Sequence, residues 1–327
     1  MSTKNLLARP IEISDFDPWD ALASQYGCLF DSIRWTSLFE PAIRRVGIFD
    51  AGGSLRGGFN LWEQRKFGLQ LLRNPPFTPH IGPFFERRTI NASARTDEQR
   101  AVVEAMAEYL SRGNAAVNSL GLSLGVTDCL PYYWRGWKVV PNYTYRIDLA
   151  QDEDSLLAAL SKGRRNDVRK AHRDGITVEE AADTSAIRAL VMETYARQAM
   201  PCPSAPMDVI FKALPLGEHS YCLVAQMNGR PVACVYVIHD ARTAFYLIGG
   251  YADGAHHGAG ALAMWHAIAR AKELGLEVFD FEGSVIPPIE RYFRGFGGRL
   301  TPYFSVHKAW LPLEILLKLR NRYRNRF

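Results

Sequence analysis

The chain has 327 residues, 47% of them hydrophobic, enough apolar material for two packed cores rather than one. Its net charge is a mild +5, and its five cysteines (Cys28, Cys129, Cys202, Cys222, Cys234) show no CxxC or metal-ligand spacing. A disulfide scaffold and a metal site are therefore set aside, reduced thiols in a cytosolic protein are expected, and no apolar run is long enough to cross a bilayer.

In chain order, residues 1–20 hold no apolar stretch of the kind a secretory signal carries. A first hairpin is expected over 46–61, turning at Gly52-Gly53, a pair that tolerates positive φ. The stretch 65–96 is dense in proline and phenylalanine around Asn74-Pro75-Pro76-Phe77, which predicts a loop or edge segment. A substrate-facing wall and a rigid surface loop are both compatible with that composition. A helix over 97–110 aligns Val102, Val103, Met106 and Leu110 on one face. A strand over 120–125, a short aromatic helix Tyr133-Trp134-Arg135-Gly136-Trp137 and a strand over 143–147 follow.

An acidic helix start near 150–154 marks the boundary between two domains, 1–150 and 151–327. The second opens with a basic helix over 161–175, where Arg165, Arg169 and Arg173 fall in one row and Gly175 is a natural stop. Asp167 is the one acid between Lys162 and Arg173, so an anionic partner such as tRNA, a diphosphate or a membrane surface is favoured over a merely solvated face. A second hairpin over 221–238 turns at Asn228-Gly229, and a helix over 260–274 buries Leu262, Trp265 and Ile268. Then come a strand over 278–283, the element Tyr292-Phe293-Arg294-Gly295-Phe296 and a strand over 303–306. The C-terminal stretch sets Trp310, Leu313, Leu316, Leu317 and Tyr323 beside Lys318, Arg320, Arg322, Arg324 and Arg326. Such an amphipathic helix either lies on an anionic bilayer or packs its leucines on the domain.

The two aromatic-aromatic-Arg-Gly-aromatic elements lie 159 residues apart (292 − 133), and the strands closing on Gly125 and Gly283 lie 158 apart (283 − 125). A period of that size is a whole domain, so the chain reads as a duplication. Each half has an antiparallel meander, a helix, a strand, a short helix and a last strand.

That order resembles the GNAT acyltransferase fold, and the whole chain is similar to the tandem domains of FemAB/FemX-like aminoacyltransferases and BioF2-like (CelD-like) acetyltransferases. The basic helix 161–175, the stretch Phe279-Asp280-Phe281-Glu282-Gly283-Ser284 and Tyr292–Gly298 carry the likeness. The resemblance implies an α+β fold of two tandem GNAT-like domains, each a mostly antiparallel mixed sheet flanked by helices. It implies a degenerate first domain on the acceptor side and a catalytic second one, with a large acceptor in the cleft between them. It implies N-acyl transfer to an amine of a cell-envelope precursor, such as a peptidoglycan or polysaccharide precursor, from acetyl-CoA, another acyl-CoA or an aminoacyl-tRNA. The chemistry expected is cytoplasmic, with the C-terminal tail as a peripheral contact at the inner membrane face.

Acyl transfer to an amine needs a base, a stabilised oxyanion and a protonated leaving group. Asp280 and Glu282 alternate with Phe279 and Phe281, so both carboxylates face away from the rings on a strand, as a base or as a structural ion pair. By the resemblance, Arg294 stabilises developing negative charge and Tyr292 protonates the leaving group. Their repetition as Arg135 and Tyr133 equally fits a role in holding the fold. The family's pyrophosphate turn matches Ala255–Ala261, which keeps Gly258 and Gly260, with His257 beside them, but has Ala255 in place of a Gln or Arg. Donor binding is thus expected from Gly258, Gly260, His257, Arg165 and Arg169. The competing class is a non-catalytic GNAT-fold module docking on nucleic acid or an anionic membrane. A nucleotide-dependent oxidoreductase is set aside, because no Gly-rich turn follows an early strand.

Overall fold

The computed structural model describes residues 6–283 and 285–320. The first half of the chain runs β1 (Leu7–Pro10), α1 (Phe16–Tyr26), α2 (Ile33–Thr36), β2 (Ile43–Phe49), β3 (Leu55–Lys66), β4 (Leu69–Arg73), β5 (Phe84–Phe85), α3 (Ala92–Arg112), β6 (Val117–Gly121), α4 (Leu130–Trp134) and β7 (Lys138–Asp148). The second half adds α5 (Glu153–Ala159), α6 (Lys162–Arg173), β8 (Thr177–Glu180), α7 (Ser185–Arg197), α8 (Ser204–Ala213), β9 (Ser220–Met227), β10 (Arg230–His239) and β11 (Thr243–Tyr251). It closes with α9 (Ala259–Glu273), β12 (Val278–Asp280), α10 (Pro287–Arg294), β13 (Arg299–Ala309) and α11 (Leu311–Arg320). No described helix is long and apolar enough to cross a membrane.

The chain divides into two compact units, residues 1–142 with 302–327, and residues 143–301. In the first unit the strand order is β1-β2-β3-β4-β6-β13, and in the second β8-β9-β10-β11-β12-β7. Both orders are antiparallel except at one step, where β4 runs parallel to β6 and β11 parallel to β12. The units thus repeat one strand topology, with their last strands exchanged: β7 ends the second unit's order and β13 the first's. Register survives the exchange. Ser305 faces Gly121 in the first unit as Arg146 faces Asp280 in the second, and both correspondences (305 − 146, 280 − 121) equal the 159-residue offset of the aromatic elements. The halves expected at 1–150 and 151–327 are contiguous, whereas the compact units trade 143–150 for 302–327. Backbone hydrogen bonds choose a strand's neighbour, and the apolar alternation of β7 and β13 serves either sheet.

Local signals explain most boundaries. Asn91 caps α3 by accepting from the Ser93 and Ala94 N–H groups, so the helix begins before the expected residue 97. Ser161 caps α6 the same way, and Gly175 leaves it at φ +86°. The segment 65–96 requires a correction. Its prolines do lie outside regular elements, but Leu69–Arg73 forms β4, a central strand paired with both β3 and β6. Its leucines, two of them buried, supply the strand, and the proline run begins only after it.

Each unit has its own core. In the first, Val103, Met106 and Leu110 of α3 pack with Val46, Ile48, Phe59, Leu120 and Val306. In the second, Leu262, Trp265 and Ile268 of α9 pack with Val235, Val237, Phe279, Phe281, Phe293 and Phe296. These cores fix α9 and α10 against β11 and β12, and with them the candidate site.

Candidate active site

The parallel pair β11–β12 is short. It runs from Thr243 opposite Val278 to Phe245 opposite Asp280, after which β12 ends while β11 continues to Tyr251. Asp280 is buried at this parting point. Its Oδ1 accepts from the Thr144 hydroxyl at 2.6 Å and from the Glu282 backbone N–H at 2.8 Å, and its Oδ2 lies 3.1 Å from Arg146 Nε. Burial raises its pKa, and the Thr144 hydrogen bond, the Arg146 charge and the Glu282 N–H oppose that rise. With both oxygens engaged, Asp280 ties β12 to β7 and holds the backbone of Glu282.

Glu282 departs from the strand alternation read in the sequence. β12 stops at Asp280, and Glu282 has φ +54°, followed by Gly283 at φ +77°. A side chain at Gly283 would overlap the Tyr143 carbonyl, so this left-handed corner lies hard against β7. The corner turns the Glu282 carboxyl inward, where Oε1 is buried and has no hydrogen-bond partner among the described residues. Burial, and then the charge of Asp280, raise its pKa well above the usual range. A non-Gly residue held in this conformation with an unsatisfied buried carboxylate oxygen costs stability twice, a combination found where function retains it. Ser284 of the same motif lies outside the described residues.

Two tyrosines share this environment. Tyr246 on β11 has its hydroxyl pKa pushed up by burial and then by its neighbours Tyr292, Cys234, Tyr195 and Glu282. Tyr292 on α10 is pushed up by burial, against the opposing charge of Arg164. The Arg164 guanidinium stacks 4.3 Å from the Tyr292 ring centroid and 5.0 Å from that of Phe296, and pairs with Asp167 at 3.0 Å. Arg164 is the residue of this cluster that sequence reasoning passed over. It stands outside the row of Arg165, Arg169 and Arg173, and its aromatic partners are more than 120 residues away.

The start of α9 is the expected phosphate turn. A side chain on Gly258 would overlap the Asp167 carbonyl of α6, so this glycine is spent on close helix packing. Gly260 is open, with only the Tyr292 hydroxyl near, at 3.6 Å from where a Cβ would be. The Gly258 N–H goes to His256 Nδ1 and that of Ala259 to the His256 carbonyl. The N–H groups of Gly260 and Ala261 find no acceptor outside the helix among the described residues. The open backbone at the start of α9 is thus at Gly260, beside the Tyr292 hydroxyl, and not at Gly258. His257 is exposed, 3.8 Å from Asp167, and stacks on His256, which holds Asp174 at 3.1 Å.

The remaining candidates lie apart. Arg294 is exposed on α10 and pairs with Glu290 at 3.5 Å, whose carboxylate also accepts from the Tyr145 hydroxyl at 2.6 Å. It shares no recorded contact with Asp280 or Glu282. Arg165 clamps the carbonyls of Ala158 and Leu160 at the α5–α6 junction. Arg169 is exposed and, like Lys162, has no ion pair or hydrogen bond among the described residues. No described group of three or more His, Cys, Asp or Glu side chains is arranged to hold a metal ion.

The preserved register identifies the first unit's counterparts. Where the second unit has Asp280, Glu282 and Arg146, the first has Gly121, Ser123 and Ser305. Gly121 is closed off by Asn74 and the Pro79 carbonyl from the proline-rich segment. The parting point of β4 and β6 thus has neither carboxylate.

Residues 161–294, from α6 through α10, match the family model described as an acetyltransferase (GNAT) domain. No curated protein sequence matches the chain. Among solved structures, FemX is similar with a TM-score of 0.68 at 13% identity, over 95% of this chain and 99% of that one. The C-terminal domain of a putative lysylphosphatidylglycerol synthetase from Agrobacterium fabrum gives 0.60 at 11% identity, over 96% and 98%. A tandem GNAT protein from the clavulanic acid biosynthesis pathway gives 0.51 at 13%, over 93% and 98%. At these identities the likeness is one of fold, and it extends over both units. The second unit thus carries a GNAT acetyltransferase domain at residues 161–294, and the fold of the whole chain is similar to that of FemX and of a tandem GNAT protein.

Proposed function

We propose that the second unit transfers an acyl or aminoacyl group to an amine, with Glu282 as general base and Tyr292 as proton donor to the leaving group. The observation that carries this reading is the buried, unpartnered Glu282 Oε1 at the parting of β11 and β12. A carboxyl whose proton affinity is raised by burial is better matched to an amine than a solvated glutamate is. As the amine attacks the donor carbonyl, Glu282 takes its proton. The Tyr292 hydroxyl gives a proton to the departing thiolate or ribose oxygen, and Arg164 on its ring face steadies the phenolate that results. Asp280 and Gly283 act on the geometry, holding Glu282 in its corner. The backbone edge of β11 beyond Phe245 offers N–H groups to the oxyanion.

The donor is an acyl group on a phosphate-bearing carrier, acyl-CoA or aminoacyl-tRNA. The Gly260 and Ala261 N–H groups and the exposed Lys162 and Arg169 receive its phosphates, with His257 at the rim. Arg294, exposed and paired only at the surface with Glu290, contacts the anionic part of a bound substrate. The acceptor is the amine of a cell-envelope or polysaccharide precursor. The first unit, with Gly121 and Ser123 in place of carboxylates, serves to bind it rather than to catalyse.

The test is incubation of the full chain with acetyl-CoA or aminoacyl-tRNA and an amine-bearing muropeptide or polysaccharide precursor, with products read by mass spectrometry. Mass gain on the acceptor, lost in Glu282→Gln, supports the reading. Binding of a donor or acceptor without any transfer, over a full panel, would favour the non-catalytic module.

A further inference from the structure

The C-terminal helix carries an apolar surface that stays exposed among the described residues. α11 leaves β13 directly, its start fixed by the Trp310 N–H bonded to the Ala116 carbonyl. At about 100° per residue, Leu311, Ile315, Leu319, Pro312 and Leu316 fall within one arc of about 140°. Their burial follows that arc. Leu311 is 72% exposed, Ile315 52%, Leu316 59% and Leu319 73%. Leu313 and Leu317, on the other side, are half-buried, and Glu314 pairs with Lys318 at 2.9 Å along the seam. The helix therefore has two apolar sides and covers only one. This differs from the sequence expectation of a single apolar side through Trp310, Leu313, Leu316, Leu317 and Tyr323; Tyr323 lies outside the described residues.

We infer that the exposed arc of α11 docks this protein on an anionic lipid bilayer. The charge beside the arc selects that occupant. Residues 320–326 contain Arg320, Arg322, Arg324 and Arg326 with no acid, and Lys318 precedes them. Of these, Arg322, Arg324 and Arg326 lie outside the described residues and count here by sequence alone. An exposed apolar strip continued in sequence by a run of arginines without acids matches acyl chains beneath anionic headgroups. Half-exposed Trp310 at the helix start suits the headgroup level. The ten described residues of α11 reach about 15 Å, half a bilayer core, a length that suits a helix lying in the surface. The docking does not depend on the acyl-transfer reading.

The experiment is co-sedimentation of the full chain with vesicles of phosphatidylglycerol mixed with phosphatidylcholine, and of phosphatidylcholine alone, at low and high salt. The expected result is binding to the anionic vesicles that weakens with salt. Ile315→Ser combined with Leu319→Ser should weaken it by about tenfold or more, with Tm unchanged because both side chains face solvent. Arg322→Ser with Arg324→Ser should weaken it similarly, with the Tm of each variant read alongside to separate lost docking from lost folding. The inference is overturned if the chain ignores anionic vesicles, if it binds neutral ones equally, or if the leucine–isoleucine variant sediments like the wild type. It is also overturned if gel filtration finds a dimer that this variant dissolves, since a second copy then covers the arc.

Discussion

Replacing Glu282 by Gln removes one buried ionisation while keeping the shape of the side chain. In the folded chain the Glu282 carboxyl holds its proton above its ordinary pKa of 4.5, because burial, and then the charge of Asp280, disfavour the anion. The folded state therefore binds more protons than the unfolded state above pH 4.5, and wild-type stability falls as pH rises until the folded pKa is passed. Every tenfold of proton affinity is worth about 1.4 kcal/mol, so the loss accumulates at up to about 1.4 kcal/mol per pH unit. Glu282→Gln has no such slope. The two proteins should diverge as pH rises from about 4.5, the variant gaining stability on the wild type until the folded pKa is passed. In a unit of this size that is roughly 2–4 °C in Tm for each kcal/mol. The assay is Tm by differential scanning fluorimetry from pH 4.5 to 8 on both proteins, and it needs no substrate. Parallel curves, or a variant less stable at pH 7, would refute the claim that Glu282 is a strained, buried acid.

The glycines at the start of α9 should separate packing from binding. Gly258→Ala would push a methyl into the Asp167 carbonyl and cost about 1–3 kcal/mol, read by chemical denaturation. Gly260→Ala should leave stability unchanged or slightly higher, as an alanine in a first helical turn does, yet raise the KM for the donor. Arg164→Ala strips the cation from the Tyr292 and Phe296 rings and breaks the pair with Asp167; a loss of about 2 kcal/mol is expected, with transfer slowed as well. Arg294→Ala should change stability by less than about 0.5 kcal/mol, since its pair with Glu290 is exposed, so any loss of transfer by this variant reports substrate contact.

Much of the fold was legible because it is local. The turns at Gly52-Gly53 and Asn228-Gly229 join β2 to β3 and β9 to β10 as their positive-φ preferences require. Ser161 and Gly175 bound α6, and the apolar stripe of α9 is buried as its spacing demands. The 159-residue echo of aromatic elements is matched by two strand orders of one topology. The exchange of β7 and β13 was not legible, because a strand's pattern says which face is buried but not which neighbour it joins. β4 was hidden by the prolines that follow it, which dominate the composition of the segment without entering the strand. At the site, Asp280 and Glu282 were both singled out, but alternation could not reveal that the strand stops between them. The signal was Gly283, whose lack of a side chain lets the chain turn against Tyr143. Arg164 could be recognised only from the fold that brings α6 against α10.

The central claim is that catalysis belongs to the later copy, through a carboxylate that the earlier copy lacks. The corresponding positions Glu282 and Ser123 allow it to be tested within one molecule. Single-turnover transfer, once a donor and acceptor are in hand, should fall about 10²–10⁴-fold in Glu282→Gln and stay within about twofold in Ser123→Ala. Full activity in Glu282→Gln, or a comparable loss in Ser123→Ala, would contradict it.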